Sequence, residues 1–118
     1  QRDMDVSELG FEKYETPFEG DISKIIDFSY FENNPLNGFL TCATGDSFLS
    51  SDGSHVGDVV DMESYALAKV CLSFDVPFIA FKYVSDSADK DASTEWRKNL
   101  KKGQKLFKRT VLDSLSLF

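Results

Sequence analysis

The chain has 118 residues, 42% of them hydrophobic and eleven of them phenylalanine. That is enough apolar content for one small domain with a real core, and too much for a disordered tail. A formal net charge of −7 argues against a general nucleic-acid role, although not against a nucleoside, which is held by stacking and hydrogen bonds more than by charge. No apolar run reaches membrane-spanning length and there is no signal-peptide pattern, so a soluble, cytoplasmic protein is expected. The two cysteines, Cys42 and Cys71, read as small buried hydrophobes of a reducing compartment rather than a disulfide or metal site. The lone His55 lies in a Gly/Ser/Asp loop with no second metal-type ligand at a diagnostic spacing, and reads as a loop residue.

Residues 1–20 alternate poorly and carry Gly10, Pro17 and Gly20, which predicts a strand end followed by a long surface loop. Asp21 is placed to cap a helix over 22–31, with Ile22, Ile25, Ile26 and Phe28 apolar and Asn33-Asn34-Pro35 as its stop. A strand over 38–43 follows, and its Phe39, Leu40, Cys42 and Ala43 predict burial on both faces, as in a sheet sandwiched between helices. Thr44-Gly45-Asp46-Ser47-Phe48-Leu49 stands at its exit, and 50–57 is polar and glycine-rich. Val59-Val60 is a short β-branched run, and Ala66, Leu67, Val70, Cys71 and Phe74 then recur at helical spacing. Pro77 opens a predicted strand over 78–84 that ends in Ser85-Asp86. Beyond Asp91 a long helix is predicted, capped by Ser93 or Thr94, with Trp96, Leu100, Gly103, Phe107, Val111 and Leu115 as its apolar stripe. Arg97, Lys98, Lys101, Lys102, Lys105, Lys108 and Arg109 cover its other side. With no aromatics interleaved for base stacking, they read as a solvated face.

Two carboxylates thus fall at strand exits, Glu63 before the first helical block and Asp86 after the next strand. Ligands of open α/β sheets bind at the carboxyl ends of strands, so both positions suit function. Taken singly, a structural role is equally open for each, and a carboxylate at a helix start such as Glu63 also complements the helix dipole. Around them stand Asp61-Met62-Glu63-Ser64, Val76-Pro77-Phe78 and Val84-Ser85-Asp86-Ser87-Ala88-Asp89. Together with Thr44-Gly45-Asp46-Ser47-Phe48, these motifs resemble the purine nucleoside phosphorylase and nucleosidase superfamily, and most closely its 5′-methylthioadenosine/S-adenosylhomocysteine nucleosidases. The resemblance implies an α/β fold, specifically a three-layer α/β/α arrangement around a central mixed sheet. It further implies that residues 1–118 are the C-terminal portion of one such domain, because nothing here matches the family's first strands and glycine-rich loop. Relative to the family, the linker over 50–57 is shorter by roughly two helical turns, through deletion or through residues missing from the sequence.

By the same resemblance, Phe48 lies against the purine ring and Leu49 offers backbone polar groups to the base edge. An aromatic at a strand exit is otherwise more often core than ligand platform, but the Gly-Asp-Ser context reverses that preference. Met62 packs on the sugar, and Glu63 accepts hydrogen bonds from its hydroxyls while its charge favours an oxocarbenium-like transition state. Asp86 matches the acid that protonates or hydrogen-bonds the departing purine, with Ser85 beside it in the binding site. Lys82 stands where the nucleosidases carry arginine, supplying charge without the planar two-pronged contact. Leu9 and Pro17 match a loop that lines the partner subunit's pocket in a homodimer. An ordinary apolar loop anchored by Leu9, Phe11 and Phe18 is the alternative. No metal or organic cofactor, nucleic acid or membrane is implied. The expected reaction is hydrolysis of the N-glycosidic bond of methylthioadenosine or S-adenosylhomocysteine, in methionine salvage, releasing adenine and a 5-thioribose product. A phosphorylase, another nucleosidase such as a futalosine hydrolase, and a non-catalytic nucleoside-binding module are the alternatives. The water-activating glutamate would belong to the unmatched N-terminal half.

Overall fold

A computed structural model describes residues 1–29, 39–50 and 57–115; the predicted stop at Asn33-Asn34-Pro35 and His55 lie outside them. The chain divides into two compact units. One holds the described residues of 1–31, 39–48 and 54–78, the other those of 32–38, 49–53 and 79–118.

The first unit is built on two short parallel strands, β1 (Cys42–Thr44) and β2 (Val59–Asp61), paired Cys42 to Val59, Ala43 to Val60 and Thr44 to Asp61. A side-chain clamp closes their N-terminal ends. The Asp58 carboxylate accepts hydrogen bonds from the Thr41 N–H at 2.8 Å and hydroxyl at 2.6 Å, while the Asp58 N–H reaches the Thr41 carbonyl at 2.9 Å. The Thr41 hydroxyl first, then its N–H, hold the Asp58 carboxyl below the usual carboxylate range against a small opposing effect of desolvation. Helix α1 (Ser64–Ser73) packs on β1. The side it buries is Ser64 and Ala68, spaced by one turn, with Tyr65 and Cys71 half-buried, whereas Leu67, Val70 and Phe74 of the predicted apolar face stand exposed. Small side chains let helix and strand approach closely, and this contact sets the helix orientation. At its C-terminus the Val76 N–H bonds the Cys71 carbonyl at 2.9 Å and the Asp75 N–H the Leu72 carbonyl at 3.1 Å. Asp75 has φ +54°, which makes this a Schellman cap in which aspartate takes the place glycine usually fills.

Ahead of the strands, residues 1–29 form a loop with two single 3₁₀ turns, Ser7–Leu9 and Gly20–Ile22. The Phe11 and Phe18 rings meet edge to face at 5.4 Å, yet Phe18 and Leu9 remain largely exposed, so Leu9 does not anchor the loop. It is tied instead by polar contacts. The Thr16 and Tyr65 hydroxyls are 2.9 Å apart, and Lys69 bonds Glu19 at 2.6 Å.

The second unit holds α2 (Ala92–Asn99) and α3 (Gly103–Leu115). Ala92 is fully buried. Gly103 is buried too, because an added Cβ would lie 2.7 Å from Cδ1 of the Tyr83 ring, whose centroid sits 6.4 Å from that of Phe107. Among the described residues no helix is long and apolar enough to cross a membrane.

Several local expectations are corrected. No helix covers the described part of 22–31: the Asp27 carboxylate accepts from the Ser29 N–H at 2.7 Å, a local bond that competes with helical hydrogen bonding. The first strand begins at Cys42 rather than 38, with Phe39 and Leu40 exposed. Cys42 is exposed and Cys71 half-buried, where burial was expected. Among the described residues, 78–84 pair with no strand. The long C-terminal helix is two helices, and Asp91 precedes the first rather than Ser93 or Thr94 capping it. The seven basic residues of 97–109 are all exposed, as the solvated-face reading expects.

Gly103→Ala sets helix propensity, which favours alanine by about 1 kcal/mol, against a methyl driven into an aromatic ring, which costs about 1–3 kcal/mol. The substitution is expected to lower the thermal midpoint. An unchanged or higher midpoint in calorimetry would show that Tyr83 yields freely.

Candidate functional site

Because Thr44 pairs with Asp61, the turns that follow β1 and β2 leave the sheet at the same end. A polar network joins them. Asp61 Oδ1 accepts the Thr44 hydroxyl at 2.6 Å, and Asp61 Oδ2 accepts the Ser64 N–H at 3.0 Å together with the Ser64 hydroxyl. Thr44 Oγ1 in turn accepts the Tyr65 N–H at 3.0 Å, and the Gly45 N–H bonds the Asp61 carbonyl at 3.0 Å. Thr44 and Ser64 are buried. The start of α1 is therefore satisfied by Asp61, three residues ahead of the N–H it accepts, and Glu63 makes no capping hydrogen bond although it occupies the N-cap position. An aspartate just ahead of a helical block is a capping candidate in its own right, and that is the feature that marks Asp61 in the sequence.

The turn after β1 carries a second clamp. Asp3 Oδ2 accepts the Ser47 N–H at 3.0 Å and the Ser47 hydroxyl at 3.1 Å. Arg2 pairs with Asp3 at 2.9 Å, bonds Ser47 Oγ at 3.2 Å and the Ser47 carbonyl, and donates its own N–H to the Thr44 carbonyl at 2.6 Å. Desolvation alone would raise the Asp3 carboxyl. Hydrogen bonds from the Ser47 N–H and hydroxyl, the Arg2 charge and the Asp46 backbone outweigh it and hold the group below the usual carboxylate range. Its contribution is therefore present at neutral pH and is lost as pH falls through that lowered value. Gly45 is buried so tightly here that a Cβ would come within 2.5 Å of Asp3 Oδ2 and 2.7 Å of Arg2.

Of the residues singled out in the sequence, Phe48, Met62, Glu63, Leu9 and Pro17 belong to the first unit. Phe48 is 48% and Met62 43% exposed, and Glu63 is exposed while Pro17 is half-buried. Thr16, which bonds Tyr65, directly precedes Pro17. Leu49, Lys82, Ser85 and Asp86 belong to the second unit; Leu49, Ser85 and Asp86 are half-buried and Lys82 is exposed. Within that unit Asp86 Oδ2 accepts the Ser85 hydroxyl at 2.7 Å and Oδ1 the Ala88 N–H at 3.0 Å. Ala88 has φ +53°, a left-handed conformation that costs a non-glycine residue about 1–2 kcal/mol. Helix α2 holds the turn from outside: Asn99 Nδ2 donates to the Ser85 carbonyl at 2.8 Å, and the Glu95 carboxylate accepts the Ser87 N–H at 3.1 Å. Arg2, Asp3, Thr44, Asp61, Glu95 and Asn99 had no role assigned from the sequence. Among the described residues no group of three His, Cys, Asp or Glu side chains could hold a metal ion.

The family model described as Phosphorylase superfamily matches residues 40–116. The chain belongs to that superfamily. Those residues include both strand-exit turns and the Asp86 turn, and the superfamily fold is α/β, with which the parallel strands and three helices agree. Curated relatives carry the name 5′-methylthioadenosine/S-adenosylhomocysteine nucleosidase. The one from Bacillus velezensis is 33% identical over 116 residues, covering 83% of this chain and 49% of the relative. That from Haemophilus influenzae strain PittEE is 30% identical over 130 residues, covering 96% and 56%. The Buchnera aphidicola protein is 39% identical over 75 residues, covering 55% and 30%. The chain thus spans between 30% and 56% of the length of these relatives. No solved structure matches it.

Thr44→Val would strip the Tyr65 N–H and Asp61 Oδ1 of a buried partner at nearly constant shape. Each orphaned group costs about 1–3 kcal/mol, so urea unfolding should show a stability loss of about 2–6 kcal/mol with an unchanged m-value. Stability within 0.5 kcal/mol of the parent, a margin typical of surface changes, would mean that the network does not hold the strand exits.

Proposed function

We propose that the chain forms the C-terminal portion of a single three-layer α/β/α nucleosidase domain, and that the intact protein hydrolyses the N-glycosidic bond of 5′-methylthioadenosine or S-adenosylhomocysteine. The observation that carries the reading is the shared exit of β1 and β2, which sets the turn bearing Phe48 beside the one bearing Met62 and Glu63. The names of the relatives give the substrate class.

In this reading Phe48 stacks on the purine, and Leu49 meets its edge through backbone groups. Glu63 grips the ribose hydroxyls. With the cap of α1 supplied by Asp61, the Glu63 carboxylate is left for the sugar, where its charge stabilises the ring as it becomes cationic. Met62 packs against the sugar. Asp86 delivers the proton, or the hydrogen bond, that the purine needs as it leaves with its bonding electrons. Its Ser85 and Ala88 hydrogen bonds, braced through Asn99 and Glu95, fix the direction of the carboxyl. Ser85 and Lys82 support binding near Asp86. Leu9 and Pro17 line the 5′-substituent pocket of the partner subunit in a homodimer, on a loop held to α1 through Thr16 and Glu19. A phosphorylase of the same superfamily is the second reading, favoured by the breadth of the family match.

Incubation of the intact protein with methylthioadenosine in phosphate-free buffer should release adenine. Strict dependence on added phosphate would exchange the hydrolase for the phosphorylase. Asp86→Asn keeps shape and one hydrogen-bonding face but removes the transferable proton. General acid catalysis contributes about 10²–10⁴-fold, or roughly 3–5 kcal/mol, so kcat should fall by about that factor with KM little changed. Glu63→Gln should raise KM as well as lower kcat. Near-normal turnover by Asp86→Asn would make Asp86 a structural turn residue.

A further inference from the structure

Phe48 is half exposed, so packing alone does not hold its ring, and the turn that carries it is pinned by charge instead. The pins come from Arg2 and Asp3, some 45 positions earlier in the chain. Asp3 takes both hydrogens that Ser47 offers. Arg2 takes both Ser47 oxygens and, through its own N–H, the Thr44 carbonyl. Ser47 is thus held at its N–H, its carbonyl and its hydroxyl, and the next residue is Phe48. The Arg2 side chain is 7% exposed while Asp3 and Ser47 are exposed, so the clamp lies at the surface and draws its hold from several charge-assisted hydrogen bonds made together. Gly45 completes the fit, since any side chain there would occupy the space that Arg2 and Asp3 fill.

We propose that Arg2 and Asp3 are positioning residues for base recognition. They act through Ser47 to fix the Phe48 ring where a purine stacks; the sugar half of the site is left to the Asp61 network, which Arg2 meets at the Thr44 carbonyl and Asp3 does not touch. The proposal rests on the nucleosidase reading above and deepens it. A turn fixed in advance spends no binding energy on ordering itself, so loosening it penalises the base and not the sugar.

Binding of adenine and of 5-methylthioribose to the intact protein, measured separately by calorimetry, tests this. Wild type must bind adenine; if it does not, the nucleosidase reading itself falls and this proposal with it. Asp3→Ala should weaken adenine about ten- to a hundredfold, the scale of losing a charged hydrogen-bonding partner, while the sugar's affinity stays within about twofold. Asp3→Asn keeps an acceptor oxygen for the Ser47 N–H and should recover much of the loss. Ser47→Ala, which removes only a hydroxyl and leaves the fold intact even where Asp3→Ala does not, should weaken adenine in the same selective way by a smaller factor. Unchanged adenine affinity in Ser47→Ala and Asp3→Ala, or equal losses for base and sugar together with a lowered thermal midpoint, would overturn the proposal and make the clamp purely structural.

Discussion

The Asp61 carboxylate is the contact on which the first unit depends. It joins β1 to β2 through the Thr44 hydroxyl, and it joins β2 to α1 through the Ser64 N–H and hydroxyl. Thr44 closes the circuit by accepting the Tyr65 N–H. Among the described residues the buried apolar side chains are three alanines, Ala43 and Ala68 in this unit and Ala92 in the other, each worth about 1 kcal/mol on the scale of one buried methyl group. A buried donor or acceptor deprived of its partner costs about 1–3 kcal/mol, so one broken contact of the network outweighs any one of these alanines. Order at the strand exits is thus a matter of polar satisfaction more than of hydrophobic mass.

The same logic recurs wherever a turn carries candidate chemistry. Asp58 clamps the strands at their far end with Thr41, Asp3 clamps the Phe48 turn with Ser47, and Asp86 folds back on Ser85 and Ala88. Each pairs a carboxylate with a nearby hydroxyl or N–H, and a short side chain is stiff enough to fix a backbone that has no ladder to join. Asp3 and Asp58 sit below the usual carboxylate range, because those hydrogen bonds favour the charged form.

What the sequence revealed follows from how far each signal reaches along the chain. The Val59-Val60 run and the helical block after it are short-range patterns, and both appear where periodicity places them. Residues 78–84 carry the right strand composition, but a strand needs a neighbour to pair with, and composition cannot supply one. The helical spacing through Trp96, Leu100 and Gly103 is real, yet the chain breaks at the residues before Gly103, where it meets Tyr83 some twenty positions earlier. For the candidate site, motif resemblance proposes Phe48, Met62, Glu63 and Asp86 without any geometry. The clamps escaped for the opposite reason. Arg2 and Asp3 find Ser47 across 44 or more residues, and neither periodicity nor capping rules reach that far.

Two carboxylates two residues apart, Asp61 and Glu63, divide the work that one might have done. Either could have satisfied the first N–H groups of α1, since both stand at the end of β2 and both gain from the helix dipole. Asp61 takes that task because its short side chain reaches back to Ser64 while also receiving Thr44 from the paired strand. Its charge is then spent on three hydrogen bonds. Glu63, exposed at the N-cap position without a capping hydrogen bond of its own, keeps its acceptor capacity while its backbone is fixed at the head of the helix. A carboxylate meant to bind needs both conditions at once, a rigid base and unspent lone pairs, and it is Asp61 that supplies the first without using up the second.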